Sequence, residues 1–127
     1  MNRPILQCLL LIGAIVSTSP ASAEGDPDRG EKVYNKCKAC HVVDSEKNRV
    51  GPHLVGLFGR TSGSIEGFKY SKAMKGAEIV WNEETLDGYL EDPKGFVNGT
   101  RMAFAGLKKQ QDRDDVIAYL KQVAAED

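Results

Sequence analysis

Apolar and polar positions alternate in a way that divides the chain sharply. Ile5 to Val16, ILQCLLLIGAIV, is an almost wholly apolar run of a dozen residues behind the short positive start Asn2-Arg3. That is the length of a signal-peptide core and short for a membrane span. Ser17 to Pro20 break it, Ala21-Ser22-Ala23 is a small-x-small cleavage pattern, and the chain turns polar at Glu24. Residues 1–23 are therefore expected to be a cleaved signal peptide, which removes Cys8, and residues 24–127 one domain. Asp26-Pro27-Asp28 reads as a helix start, with Asp26 as N-cap and acidic residues at the positive end of the dipole. This helix is expected to run to about Cys37, with Val33, Tyr34 and Cys37 on one face. Asn82-Glu83-Glu84 opens a second helix, with Leu86, Tyr89 and Leu90 on its apolar face, ending at Asp92 before Pro93. Val116, Ile117, Leu120, Val123 and Ala124 recur at helical spacing in a third, from about Asp112 to Ala125. Ser71 to Lys75 suits a short helical turn. Residues 42–70, with Pro52 and the glycines Gly51, Gly56, Gly59, Gly63 and Gly67, read as a long structured loop, and Pro93 to Lys109 as another. Nothing alternates as a strand, so the domain is expected to be all-α.

Composition changes the picture in two ways. A chain that is 41% hydrophobic, with about a hundred residues after cleavage, buries only a modest core. It also keeps just two cysteines, too few for the disulfide framework of a small exported domain. The long loops need something rigid to pack on. Loss of Arg3 leaves 16 basic against 18 acidic residues, so no basic excess points to nucleic acid.

Both remaining cysteines lie in Cys37-Lys38-Ala39-Cys40-His41. Zinc would need four ligands, and only His53 could complete Cys37, Cys40 and His41, with Cys40 and His41 adjacent and strained. A thiol–disulfide enzyme carries Cys-x-x-Cys at a helix N-terminus in a βαβ setting. Here the motif ends a helix in an all-α chain, where the dipole disfavours a thiolate. Cys-x-x-Cys-His is also the form of c-type haem attachment, two sulfurs taking the vinyl positions and the histidine the iron. That reading fits best behind an export signal. The second axial position has three soft or imidazole candidates. His53 follows Pro52 in the glycine-rich loop and is expected to be a surface or polar-loop residue. Met74 is expected to fill a gap in the core. Met102, in a loop with apolar flanks, can reach iron without breaking a helix. A His/Met pair raises the potential and leaves no open position, which suits an electron carrier. An open iron position would instead mark a haem enzyme or gas sensor.

From Gly25 to about Lys121 the chain resembles a small soluble class I cytochrome c of the mitochondrial and alphaproteobacterial kind. The motifs that carry the resemblance are CKACH, GPHLVGLFGR, GFKYS, WNEETLDGYLEDP, GTRMAFAGLKK and DDVIAYLK, in that order. The resemblance implies helices wrapped around one covalent haem c. It matches Cys37 and Cys40 to the thioether cysteines, His41 to the proximal ligand and Met102 to the distal one. Pro52 matches the residue whose carbonyl accepts the His41 Nδ1–H. Arg60, Tyr70 and Trp81 match groups around the haem propionates, Tyr89 and Thr100 polar groups on the methionine side, and Gly30 and Tyr119 the crossing of the first and last helices. Two positions depart from the common pattern. Met74 stands where many relatives have asparagine, and Arg101 where many have lysine, which leaves Lys94 as the expected high-pH ligand.

The resemblance also implies a monomeric periplasmic electron carrier and not an enzyme. Its partners would be a quinol-oxidising cytochrome b–c complex as donor and a terminal oxidase or photosynthetic reaction centre as acceptor. Lys36, Arg49, Lys94, Arg101, Lys108 and Lys109 match positions ringing the exposed haem edge, a basic docking face on a slightly acidic domain.

Overall fold

The computed structural model describes residues 13–15 and 24–125; the rest of the expected signal peptide lies outside the described residues. Among the described residues five helices follow one another: α1 (Pro27–Tyr34), α2 (Lys72–Gly76), α3 (Glu83–Glu91), α4 (Pro93–Phe96) and α5 (Gln110–Val123). Among the described residues there is no strand, only one isolated antiparallel bridge between Thr61 and Val80. The all-α expectation holds. No described helix is long and apolar enough to cross a membrane.

Each start has a local cause. The Asp26 carboxylate accepts from the amides of Asp28 and Arg29 and caps α1, with Pro27 needing no partner for its nitrogen. Asn82 and Thr85 exchange side-chain to backbone hydrogen bonds, both of 2.9 Å, in a reciprocal cap on α3. Ser71 Oγ accepts from Met74 N and caps α2. Three elements differ from the sequence pattern. α1 stops at Tyr34, and residues 35–40 continue as tight turns, with Cys37 N donating to Tyr34 O at 2.7 Å. The stretch after Pro93 is not all loop: Asp92 caps a single turn, α4, by accepting from Gly95 N. α5 begins at Gln110 and ends at Val123, a shift of two residues at each end.

The frame of the fold is the crossing of α1 and α5. Gly30 lies against the backbone of Asp115, and a Cβ there would collide with the Asp115 carbonyl oxygen and sit 2.8 Å from Tyr119 Cβ. The missing side chain lets the two helices touch. Beside it, the Asp115 carboxylate is 2% exposed and fully engaged. It accepts from Asp26 N at 2.7 Å, Arg29 Nε at 2.9 Å, Arg29 Nη2 at 3.1 Å and Gln111 Nε2 at 2.8 Å. The Arg29 guanidinium holds this carboxyl below its ordinary pKa. Tyr34 and Tyr119 stack across the same crossing with ring centroids 5.4 Å apart. Beneath lies a core of Leu57, Met74, Trp81, Leu86, Tyr89, Val97, Leu107, Val116, Ile117 and Leu120. Lys121 pairs with Glu83 to join α5 to α3 at the surface.

Candidate functional site

CKACH occupies the turns that follow α1. The backbone amides of Cys40 and His41 both donate to Cys37 O, at 3.1 and 3.0 Å, which draws the three chemical groups into one tight arc. Both thiols are free and half-buried. Burial pushes the Cys37 thiol up to about 11, the reverse of what a thiolate nucleophile needs. This counts against the thiol–disulfide enzyme. Among the described residues Cys37, Cys40, His41 and His53 do not form a group placed to hold a metal ion as a four-ligand zinc site would.

His41 is held from two sides. Its Nδ1 lies 2.7 Å from the carbonyl oxygen of Pro52, as the resemblance implied. Gly51 provides the seat: a Cβ there would fall 2.7 Å from Nδ1 and 2.9 Å from Nε2 of the ring. Burial lowers the His41 pKa, which favours the neutral ring. A neutral imidazole with Nδ1–H committed to a carbonyl presents the Nε2 lone pair, the form a metal requires.

The remaining candidates fall into two groups. Tyr89 is buried on α3 and its hydroxyl lies 2.8 Å from Thr100 Oγ1. Thr100 Oγ1 also accepts from Met102 N at 3.4 Å, so this pair anchors the approach to Met102. Trp81 is buried and packs on Tyr89 with centroids 5.1 Å apart. In the second group the Arg60 guanidinium is not a solvated charge. It donates to the carbonyls of His53 at 2.9 Å and Val55 at 3.3 Å. The Tyr70 hydroxyl accepts from Ile65 N at 3.2 Å. Burial lowers the Arg60 pKa and raises that of Tyr70.

Met74 is in the buried core, as expected of a gap-filler, whereas Met102 is half-buried. Around the core lies a set of half-buried apolar side chains drawn from separate loops: Cys37, Val43, Leu54, Phe58, Tyr70 and Met102. An imidazole seated on Gly51 with Nδ1 on the Pro52 carbonyl, two thiols in one arc and this apolar lining fit a flat apolar macrocycle with an iron centre.

His53 corrects the sequence reading. It is 6% exposed, not a surface residue, and its Nδ1 is buried without a hydrogen-bond partner. Its backbone explains the placement: His53 N donates to Asn48 Oδ1 at 3.1 Å while its carbonyl accepts from Arg60. Its position one residue after Pro52 gave no signal of burial. Burial, then the Arg60 charge, lowers its pKa below the ordinary 6.5, against a smaller opposing effect of Glu46. The unfolded chain therefore takes up a proton that the folded chain resists, and stability falls as pH drops below about 6.5. His53→Asn in the haem protein is expected to flatten this acid slope. Urea midpoints measured from pH 7.5 down to 4.5 check it, and parallel slopes for the two proteins would contradict it.

The Cytochrome c family model matches residues 27–124. The chain belongs to the cytochrome c family. Cytochrome c of Chlamydomonas reinhardtii is 50% identical over 112 residues, covering 87% of this chain and all of that protein. Cytochrome c2 of Blastochloris viridis is 50% identical over 111 residues, 87% of each chain. The cytochrome c-type cyt cy of Rhodobacter capsulatus is 53% identical over 108 residues, 84% of this chain but only 54% of that protein. The cytochrome c family carries one covalently attached haem c, and its members serve electron transfer. The helical, strand-free structure described above is a class I cytochrome c fold.

Proposed function

We propose that the mature protein is a periplasmic one-electron carrier. It would shuttle electrons between a quinol-oxidising cytochrome b–c complex and a terminal oxidase or photosynthetic reaction centre. Cys37 and Cys40 would hold the haem through two thioethers, and His41 and Met102 would ligate its iron. The observation that carries this reading is the His41 ring fixed by Nδ1 on the Pro52 carbonyl at 2.7 Å, with the cysteines in the adjoining turns. When bound, haem c supplies a one-electron couple. The chain's residues do the rest. Pro52 fixes the imidazole and strengthens it as a donor. A thioether at Met102 favours the reduced state relative to a second imidazole. Arg60 brings positive charge to the side where the resemblance puts the propionates, held there by two carbonyls. The apolar run and small-residue pattern of residues 5–23 support export.

Lys36, Arg49, Lys94, Arg101, Lys108 and Lys109 are all exposed. On a domain whose formal charge is slightly negative they form a local basic face suited to acidic partners. Exposed charges are screened beyond about 8 Å at physiological salt. Electron-transfer rates with an isolated cytochrome b–c complex or oxidase should therefore fall steeply as ionic strength rises. A flat profile would count against this docking face. Rapid carbon monoxide binding by the reduced protein at neutral pH would count against a carrier with closed coordination.

A further inference from the structure

The methionine-bearing segment between α4 and α5 is held at both ends. At its front, Tyr89 and Thr100 are paired at 2.8 Å. At its rear, Gly106 has φ +103° and passes over the end of α3, where a Cβ would lie 2.9 Å from the Glu91 carbonyl carbon. The next residue, Leu107, is buried and its amide donates to Leu90 O at 2.7 Å. Lys108 Nζ donates to Glu91 O at 2.8 Å.

One side chain ties this rear anchor to the helices. Arg113, in the first turns of α5, is 4% exposed. Its Nη1 donates to Leu107 O at 2.8 Å and Lys108 O at 3.1 Å. Its Nε donates to Asp87 Oδ1 on α3 at 2.8 Å, and its Nη2 to Gln110 Oε1 at 2.7 Å. Gln110 Nε2 closes the ring onto the same Asp87 oxygen at 2.7 Å. Lys109, at the start of α5, makes no side-chain cap, so Arg113 reaches back over the helix start instead. A planar fork with fixed donors can bridge a carboxylate and two carbonyls at once, which a lysine ammonium on a flexible stem does poorly.

We infer that Arg113 is the positioning residue that keeps the Met102 segment closed, clasping its downstream end to α3 and α5. The inference rests on the reading of Met102 as the distal ligand. Leu107 is five residues beyond Met102, so release of its carbonyl loosens the loop that must hold the thioether in place. Asp115 offers a control, because it ties α5 to α1 and makes no hydrogen bond to the segment.

The experiment uses the oxidised haem protein at neutral pH. Imidazole is titrated in while the far-red sulfur-to-iron absorption band is followed, and global stability is measured in parallel by denaturant. An exogenous ligand binds only when the methionine is displaced, so its apparent affinity reports the open fraction. Arg113→Gln is expected to bind imidazole about tenfold more tightly than wild type, with Arg113→Lys in between. Asp115→Asn should lose stability with its imidazole affinity unchanged. If Arg113→Gln does not fold, Arg113→Lys carries the comparison. Equal affinities in wild type and the Arg113 variant overturn the inference. So does an affinity that merely tracks global stability across all the variants. A wild-type protein without the far-red band overturns the Met102 reading itself, and this inference with it.

Discussion

Gly30→Val is expected to be among the most destabilising single substitutions in this domain. Even the first carbon of the new side chain would collide with the Asp115 carbonyl oxygen and stand 2.6 Å from the carbonyl carbon. The obstacle is backbone in the middle of α5, so no rotamer change relieves it. The helices must separate, and the Asp115 bonds to Asp26 and Arg29 lengthen with them. Overpacking costs about 1–3 kcal/mol where side chains can give way, and a backbone obstacle belongs at the top of that range or above. About 3 kcal/mol corresponds to a fall in Tm of roughly 15 °C for a domain near 100 residues. Gly76→Ala is the matched comparison, because a Cβ there meets nothing within 4 Å. It should be neutral or slightly stabilising. Thermal unfolding of the two haem proteins checks the pair, and similar Tm values would refute the close crossing.

Met102→Ala is expected to change the redox chemistry more than any other substitution that leaves the haem attached. The far-red band should vanish, carbon monoxide should bind the reduced protein readily, and the midpoint potential should fall by on the order of 100 mV or more. Met74→Leu is the control. Met74 belongs to the same buried apolar core as Trp81 and Tyr89, so its thioether is packing, and an apolar residue of similar volume should leave all three readouts near wild type. Spectra and potentiometric titrations of the two variants distinguish the roles of the two methionines. Loss of the band in Met74→Leu, with its retention in Met102→Ala, would reverse the assignment.

Much of this architecture is legible in residues close together in sequence. Asp26-Pro27 and Asn82 with Thr85 announce helix starts because a cap needs only a side chain and the next few amides. CKACH is legible for the same reason. Asp92-Pro93 carries the same signature as Asp26-Pro27, yet Gly95 and Gly99 mask it, and α4 reads as loop. Other features depend on chain segments far apart in sequence. Asp115 reads as one more acidic residue at a helix start and Arg113 as an ordinary helix charge, and contacts with α1, with α3 and with the Leu107 and Lys108 carbonyls bury them and fill their hydrogen bonds. His53 reads as a loop residue, and its burial follows from Asn48 and Arg60 gripping its backbone. Gly30 is legible only through family motifs, because neither periodicity nor spacing says which glycine lies at a crossing, whereas Met102 stands out by its apolar-flanked loop and the motifs agree.

The central claim is that His41 and Met102 together close the iron's coordination. The most direct test is the proton NMR spectrum of the reduced, diamagnetic haem protein. A methionine bound to the iron holds its terminal methyl over the macrocycle face, where the ring current shifts it far upfield of all ordinary methyl signals. The account predicts one such three-proton resonance, present in Met74→Leu and absent in Met102→Ala. A spectrum with no upfield methyl in the wild-type protein, or one unchanged by Met102→Ala, would contradict it.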